Sequence, residues 1–284
     1  MRKFSLKNAI DPVTKYLIQS AEEHPADHRG PVLLMYHGTP AGHPRSSDYS
    51  IGADKFTAQL DLLIRLGWHT ACVRDLEQTE RLPRKTVIIT FDDGYQDNYS
   101  GAYVALRERK LCATWFIVSG RVGGHADWMG PATNETAMLN ASQLREFASS
   151  GMEIGSHTRT HPDLTVASES CIKEEIEDSK RELEDLLGRG IENFAYPYGR
   201  LNDGVADRVR RAGYRFACGV KPGWFGSTAD KYGLRRVTVF GDDSLSAFAR
   251  KLVFADNAVG WSRMARYAIN RAQTRFKSPR HNAR

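Results

Sequence analysis

Short hydrophobic runs alternate with amphipathic segments along this chain. The runs are rich in Val, Ile, Thr and aromatic residues and have the length of buried strands. We predict strands at Val32–Tyr36, His69–Val73, Thr86–Phe91, Ala113–Val118, Glu153–Gly155, Asn193–Tyr196 and Arg215–Gly219. Between them, apolar residues at helical spacing, such as Phe56, Leu60 and Leu63, predict helices. This alternation is typical of βα units around a parallel sheet, and it predicts an α/β fold.

Three segments depart from this alternation. Residues 1–29 have the pattern of a weakly amphipathic helix and a polar linker, and residues 257–278 have that of a basic helix. We expect both ends to lie outside the core, which leaves one domain at residues 30–256 and a basic tail at 257–284. A long irregular insertion, Ser119–Asn140, precedes a helix whose expected N-cap is Ser142. Loops of this length in a compact domain are usually functional or mobile.

Composition and charge narrow the classes of function. The formal net charge is +6, but much of the excess lies in the final segment, Arg263–Arg284. No nucleic-acid-binding motif accompanies it, so we expect no nucleic-acid partner. No run approaches the roughly 18 apolar residues of a membrane span, and no secretory signal is recognisable, so we expect a cytoplasmic protein. The four cysteines lack CxxC spacing, which indicates neither a disulfide framework nor a thiolate metal site.

Two adjacent carboxylates follow one of the predicted hydrophobic strands. In Thr90-Phe-Asp-Asp-Gly94 the strand runs into Asp92, Asp93 and a glycine turn. Burying such acids is costly unless they have a partner, so we expect them at the open end of the strand. A simple cap of the following helix is the alternative, and the motif alone does not decide between the two.

A pair of histidines follows another predicted strand. His157 and His161 are four residues apart, so a helical turn would project both imidazoles to one side, within reach of one metal ion. With Asp93 they supply two nitrogens and one oxygen, a set that leaves positions open for water and suits a catalytic Zn²⁺, Fe²⁺ or Co²⁺. Such an ion activates water and polarises an acyl oxygen, and Asp92 beside the ligand is the natural base.

Two more strand ends carry aromatic and imidazole groups. Phe194-Ala-Tyr-Pro-Tyr-Gly199 contains Tyr196 and Tyr198, whose rings could stack on a sugar or simply pack in the core. His37 ends the first strand, where a single histidine is more often structural. Four chemical groups thus fall at the carboxyl ends of predicted parallel strands, where a βα barrel assembles its active site.

Taken together, TFDDG, SHxxxHP and AYPYG resemble the motifs of the polysaccharide deacetylases of carbohydrate esterase family four, which share the NodB homology domain. The similarity covers about residues 31–252. It implies a distorted (β/α)₇ barrel and an N-deacetylase that hydrolyses the acetamide of an amino sugar in an oligosaccharide or polysaccharide. It also implies Asp92 as the general base, Asp93, His157 and His161 as ligands of a divalent metal, and Tyr198 as the residue whose backbone amide binds the oxyanion. The expected ion is Zn²⁺, with Fe²⁺, Co²⁺ or Ni²⁺ as alternatives.

The chain departs from the family pattern at two places. Many relatives carry an arginine where this chain has Ala195, so Asp92 must be oriented from elsewhere, and Arg236 is our candidate. Many also supply the general acid from a histidine late in the sequence. In this chain the only histidine after His161 is His281, in the basic tail. A subgroup that acts on poly-N-acetylglucosamine exopolysaccharides supplies the acid from an early Tyr-His, and His37 is therefore the expected acid.

Several alternatives stay open at this point. Trp128 in the long insertion could line a substrate groove or be an incidental surface residue. The acyl group could be formyl, or the substrate a lipid-linked sugar, in which case the basic tail with Trp261, Tyr267 and Phe276 could contact anionic lipid. A solvated surface helix is the simpler interpretation of that tail. A catalytically inert carbohydrate-binding relative is a third hypothesis, because the late histidine is missing.

Overall fold

Parallel strands form a sheet that curls around the centre of the molecule. The computed structural model describes residues 10–22, 30–42, 47–128, 136–226 and 230–260. Its strands are β1 (Val32–Tyr36), β2 (His69–Ala71), β3 (Thr86–Phe91), β4 (Thr114–Ile117), β5 (Glu153–Ser156), β6 (Asn193–Ala195), β7 (Phe216–Cys218) and β8 (Val237–Thr238). Their order is β7-β6-β5-β4-β3-β1-β8, with β2 paired to β3. The predicted α/β fold, a distorted (β/α)₇ barrel, is confirmed.

Helices connect the strands and cover the outside of the sheet. They are α1 (Pro12–Glu22), α2 (Ala53–Arg65), α3 (Val104–Glu108), α4 (Ala141–Ser149), α5 (Glu169–Lys173), α6 (Ser179–Leu187), α7 (Asp203–Arg211) and α8 (Leu245–Phe254). One π-helical turn, Tyr99–Tyr103, leads into α3, and another, Glu174–Asp178, joins α5 to α6. In the described part of the chain, none of the helices combines the length and the apolar composition that a membrane span requires.

Asn140, rather than the predicted Ser142, caps α4. The Asn140 side chain accepts a hydrogen bond from Gln143 N, and the Gln143 side chain accepts one from Asn140 N. This reciprocal capping box requires the two residues to be three positions apart, a spacing that Ser142 does not have to Gln143. The prediction was therefore wrong by two residues.

Strand β3 is the central strand and is buried along its whole length. Strand β1 pairs with one edge of it from Val87 to Phe91. The other edge is divided: β2 pairs with its first half, Thr86–Ile88, and β4 with its end, Thr90 and Phe91. The Phe91 ring stacks on Trp115 of β4 at 4.8 Å and 10°. This packing fixes the end of β3, and with it the position of the residues that follow.

The described part of the N-terminal segment joins the core, contrary to our prediction. Ile10, Leu17 and Ile18 are buried, and α1 packs on α8. The Arg250 guanidinium of α8 donates a 2.8 Å hydrogen bond to Thr14 Oγ1 in α1. The apolar face of α1 is short, so its pattern alone did not reveal that it has a partner.

The segment after α8 also differs from the prediction. Residues 257–260 are not helical, although we predicted a helix from 257 onward. The Val259 carbonyl accepts a 3.0 Å hydrogen bond from buried Arg250 Nε, which holds this segment against the barrel. The rest of the predicted basic helix, with Trp261, Tyr267 and Phe276, lies outside the described residues.

Candidate active site

The carboxyl ends of β1, β3, β5 and β6 meet at one rim of the barrel and open into a cavity of about 550 Å³. That volume is within the range of small-molecule sites. The sequence-predicted residues that line it are His37, Asp92, Asp93, Trp128, His157, His161 and Tyr198. The lining also includes Tyr49, Phe240 and Asn257, which sequence analysis did not single out. We call this space the rim cavity.

Arg236 holds the Asp92 carboxylate in place. The guanidinium donates two hydrogen bonds to the carboxylate, Nη1 to Oδ1 at 2.6 Å and Nη2 to Oδ2 at 2.8 Å. Arg236 is itself fully buried and also donates to Thr90 Oγ1 and to the Gly219 carbonyl. A two-pronged contact of this kind fixes both the position and the rotation of a carboxylate. Arg236 thus fixes the orientation of Asp92.

The same contact determines the charge of Asp92. Burial by itself raises the pKa of a carboxyl group, because it disfavours the charged form. The Arg236 guanidinium and the nearby imidazoles of His157 and His37 together outweigh burial, so the pKa of Asp92 is lowered. Asp92 is therefore an ionised, fixed hydrogen-bond acceptor at neutral pH.

Asp93, His157 and His161 form a buried group next to Asp92. Their ligand atoms all lie within 4.8 Å of one another. Burial raises the pKa of Asp93, but the two imidazoles lower it well below its usual range. Burial lowers the pKa of His161 to about 4, so this imidazole is neutral at neutral pH. An ionised Asp93 and a neutral His161 are in the protonation states that a metal ion requires, whereas Asp93 and Asp92 outweigh burial and raise the pKa of His157, which must lose its proton to bind an ion.

The donor geometry fits a divalent metal ion. His157 Nε2 and His161 Nε2 each lie 3.4 Å from Asp93 Oδ1. Donors about 2.0–2.1 Å from a tetrahedral ion are about 3.3–3.4 Å apart. Asp93 Oδ1 is buried and has no hydrogen-bond partner, which is costly unless something else binds it. His157 Nδ1 lies 2.7 Å from the Ala195 carbonyl, an arrangement that turns Nε2 toward Asp93.

The two histidines converge by a bend, and the predicted helical turn is wrong. Residues 157–162 have no helix, and both Thr158 and His161 have φ near +67°. Glu175, from the π-helical turn between α5 and α6, holds the bend together. Its carboxylate accepts hydrogen bonds from Arg159 N at 2.8 Å, Thr160 N at 2.7 Å and Thr160 Oγ1 at 2.5 Å. Sequence analysis missed Glu175, because nothing near it in the chain marks it as a partner of this bend.

Strained backbone is concentrated at this rim. Among the described residues, six that are not glycine have positive φ, and four of them are Asp93, Thr158, His161 and Tyr198. Such a conformation costs of order 1–3 kcal/mol per residue and persists only where surrounding contacts impose it. The surrounding fold therefore imposes a strained backbone at these residues, and this backbone orients their side chains.

Aromatic rings flank both sides of the rim cavity. The His161 ring lies between Trp128, stacked at 4.7 Å, and Tyr198, edge-on at 4.7 Å. On the opposite side, Tyr49 lies 4.9 Å from the His37 ring and 5.9 Å from Phe240. Trp128 thus lies in the cavity wall, as one of the two interpretations of it proposed.

His37 occupies the side of the cavity opposite the histidine pair. It is half-buried, and its Nδ1 atom is buried and without a hydrogen-bond partner. It lies close enough to Asp92 and Asp93 to lower the pKa of both carboxylates. An imidazole that lines the cavity beside two carboxylates can exchange a proton with a molecule bound there.

Tyr196 does not reach the cavity, which corrects the substrate contact we predicted for it. Its side chain is fully buried, and its hydroxyl donates a 2.9 Å hydrogen bond to the Tyr232 carbonyl. Successive residues of a strand point to opposite faces, so Tyr196, two residues after Phe194, lies on the same face and packs against its ring in the core. Of the two tyrosines in AYPYG, only Tyr198 lines the cavity.

Comparison with known proteins agrees with this site. A family model described as polysaccharide deacetylase matches residues 79–217. The Bacillus subtilis (strain 168) protein named "Putative polysaccharide deacetylase YxkH" is 30% identical over 220 residues, which are 76% of this chain and 74% of that protein. The poly-beta-1,6-N-acetyl-D-glucosamine N-deacetylase of Staphylococcus aureus (strain MRSA252) is 24% identical over 69% of each protein.

A solved structure shows the same fold. The deacetylase PplD of Streptococcus pyogenes, in complex with acetate, superposes with a TM-score of 0.69 and 27% sequence identity. The match covers 78% of this chain and 98% of that one. With a relative at 30% identity that is matched over 74% of its length, the chain belongs to the polysaccharide deacetylase family.

Proposed function

We propose that this chain is a metal-dependent N-deacetylase that removes the acetyl group from an amino sugar in an oligosaccharide or polysaccharide. The observation that carries the proposal is the pairing of an ionised Asp92, fixed by Arg236, with the adjacent group of Asp93, His157 and His161. Hydrolysis of an amide needs an activated water and a protonated leaving amine. The rim cavity holds candidates for both tasks.

Asp92 is the proposed base. Arg236 keeps its carboxylate charged and prevents it from rotating, so a lone pair can face a water molecule bound beside Asp93. The attacking water gives its proton to Asp92 while its oxygen adds to the acyl carbon. His37, on the other side of the cavity, donates a proton to the amine nitrogen as the carbon–nitrogen bond breaks. The net products are acetate and a free amine.

The proposed cofactor is a divalent ion, with Zn²⁺ as the first choice. Two imidazoles and one carboxylate leave coordination positions open, and Fe²⁺, Co²⁺ and Ni²⁺ accept the same donors. Such an ion, held by Asp93, His157 and His161, would lower the pKa of water and polarise the acyl oxygen. The backbone amide of Tyr198 is proposed to donate to the developing oxyanion.

The proposed substrate is an N-acetylated amino sugar. Trp128 and Tyr198 on one side and Tyr49 and Phe240 on the other offer aromatic faces to the apolar face of a sugar ring. The relative from Staphylococcus aureus is named for action on poly-beta-1,6-N-acetyl-D-glucosamine, which makes that polymer the first one to test. The choice of acetyl over formyl, and the cytoplasmic location, remain predictions.

Metal analysis combined with an acetate-release assay on N-acetylglucosamine oligomers tests this function. In Asp92→Asn we expect acetate release to fall by about 10²–10⁴-fold, the usual contribution of a general base, with the metal content unchanged. In His161→Ala we expect metal content and acetate release to fall together. Asp185→Asn, on the exposed side of α6, is the matched control and should behave as the parent protein.

Full acetate release by Asp92→Asn would refute the role of this residue. Release by the parent protein that is unaffected by removal of metal would refute the metal-dependent mechanism. A well-folded, metal-loaded protein that binds the oligomers and releases no acetate would instead identify a carbohydrate-binding relative.

A further inference from the structure

Two cysteines meet where β2 ends and β4 begins. Because β2 and β4 share one edge of β3, the end of the first strand abuts the start of the second. Cys72 directly follows β2, and Cys112 lies two residues before β4. Val73 N donates a 3.1 Å hydrogen bond to Thr114 Oγ1, which ties the two chain segments together at this junction. The topology of the barrel thus brings together two thiols that are far apart in sequence.

The contacts of the two thiols confirm this proximity. The side chains of Cys72 and Cys112 lie close enough for each to shift the pKa of the other. The Cys112 thiol also donates to Thr70 Oγ1 at 3.5 Å, and Cys112 N donates to the same oxygen at 3.0 Å. The Cys72 thiol donates to the Ala113 carbonyl at 3.5 Å. Both cysteines are free thiols.

The two sulfurs differ in exposure and in acidity. Cys112 is partly exposed, whereas Cys72 is completely buried. The neighbouring Cys72 thiol lowers the pKa of Cys112 to about 7, whereas Cys112 and burial together raise the pKa of Cys72. An accessible, acidic thiol next to a buried second thiol is the arrangement of redox-sensitive cysteine pairs.

The other two cysteines lack these properties. Burial raises the pKa of Cys218 to about 12, and its side chain is inaccessible. Burial and the neighbouring Glu175 and Glu174 raise the pKa of Cys171. A mild oxidant should therefore react first at Cys112.

We propose that Cys72 and Cys112 are a redox-active dithiol that a peroxide converts into a disulfide. The Cys112 sulfur attacks one peroxide oxygen, the O–O bond breaks, and the departing hydroxide leaves as water after taking up a proton. The Cys72 sulfur then attacks the sulfur of the resulting sulfenic acid, which expels the second oxygen as water. Two thiols and one hydrogen peroxide thus give one disulfide and two waters.

The disulfide would join β2 to β4 away from the rim cavity. Neither cysteine lines that cavity, so acetate release should change by less than about twofold. The new bond would close a loop from residue 72 to residue 112, which stabilises the fold by restricting the unfolded chain. We expect the oxidised protein to melt roughly 5 °C higher than the reduced protein, and dithiothreitol to reverse the change.

Thiol counting on the full chain tests the proposal. The reduced protein is treated with a stoichiometric amount of hydrogen peroxide, denatured and alkylated with N-ethylmaleimide, and its intact mass is measured. We expect two of the four thiols to escape alkylation, and peptide mapping to find a Cys72–Cys112 cross-link. The matched controls Cys171→Ser and Cys218→Ser should still form it. In Cys72→Ser no cross-link should form, and Cys112 should accumulate as a sulfenic acid that dimedone labels.

Three results would overturn the proposal. Alkylation of all four thiols after peroxide treatment would show that the pair is unreactive. A cross-link that involves Cys171 or Cys218 would show that the wrong pair had been chosen. A lower melting temperature of the oxidised protein would show that the native junction cannot accommodate the bond. None of these results depends on the deacetylase assay.

Discussion

Two carboxyl groups are buried at opposite ends of the barrel, and their pKa values are shifted in opposite directions. Asp92, at the carboxyl end of β3, and Glu153, at the amino end of β5, are 3% and 6% exposed. Arg236 lowers the pKa of Asp92 despite burial. Burial raises the pKa of Glu153, whose hydrogen-bond donors are the neutral Thr114 hydroxyl, Asn193 amide and Arg74 backbone N–H.

The charge of the partner, more than burial alone, decides whether a buried carboxyl group is ionised. A guanidinium with two donors keeps Asp92 ionised, which a proton acceptor needs. Neutral donors satisfy the hydrogen bonds of Glu153 without fully compensating its charge, which suits a structural link between β4, β5 and β6. The same residue chemistry thus serves reactivity at one end and packing at the other.

Arg236→Met should have the largest effect, because it removes the charged partner that distinguishes Asp92 from Glu153. The substitution removes the charged partner and leaves a buried, unpaired Asp92, so we expect the free energy of unfolding to fall by about 3–5 kcal/mol. Acetate release should fall with it, since Asp92 loses both its orientation and its charge. Urea denaturation and the acetate assay measure the two effects. The control is Arg235→Met, whose exposed side chain donates a hydrogen bond to the Pro222 carbonyl. Equal losses in both variants would contradict the special role of Arg236.

Glu175→Ala should affect the metal group without touching it. The substitution removes the acceptor of three hydrogen bonds in the 157–161 bend, so the left-handed Thr158 and His161 lose their support. We expect the affinity for Zn²⁺ to fall about 10–100-fold, the usual effect of losing a residue that orients metal ligands. Titration calorimetry measures it, with the exposed neighbour Glu174→Ala as the control. Unchanged affinity would show that the bend is stable without Glu175.

Glu153→Gln should remove a pH dependence while leaving the fold intact. The folded pKa of Glu153 lies above its unfolded value of 4.5, so the folded state binds more protons and stability falls as pH rises from 4.5 upward. A neutral glutamine cannot show this decline, and the Asn193 amide, whose Oδ1 is unpartnered, can turn to accept from it. Denaturation at pH 5 and pH 8 should give a smaller difference in the variant than in the parent or in Glu174→Gln. Equal differences in all three proteins would contradict the assignment.

Asp11 is a third, partly exposed carboxylate. Asp11→Ala should have the smallest effect of these substitutions. Burial raises the pKa of Asp11, but hydrogen bonds from Thr14 lower it to about 2 in the folded state. Its stabilising effect is therefore present above pH 3.8 and is lost as pH falls from 3.8 toward 2. At pH 7 we expect a loss of about 1 kcal/mol, typical of an N-cap. Asp11→Asn, which keeps an acceptor oxygen, should lose less, and a loss independent of pH would argue against a role for the charge.

Much of the barrel could be predicted because its signals are local. The apolar run Thr86–Phe91 is buried on both faces, and the structure begins and ends β3 at the predicted residues. The carboxyl ends of parallel strands share one rim, so the meeting of His37, Asp92 and His157 followed from topology alone. Strand β8 was missed, because Val237–Thr238 is too short to give a pattern.

The remaining features depend on contacts that local patterns do not encode. The bend at His157–His161 relies on Glu175, which belongs to a different element. Tyr49 and Phe240 come from segments with no recognisable motif and meet only across the rim cavity. Tyr196 and Tyr198 are equivalent as letters in AYPYG, and only the backbone, with φ of +58° at Tyr198, sends one ring to the cavity and leaves the other in the core.

The left-handed backbone at Asp93 and His161 links the arrangement of the proposed metal ligands to the stability of the whole protein. An unfolded chain rarely visits that conformation at two ligands simultaneously, so the three donors converge only in the native state. A divalent cation would then bind the folded protein in preference to the unfolded one. By thermodynamic linkage, its binding free energy adds to the stability of the barrel, and the supply of the ion becomes a determinant of how much of the chain is folded.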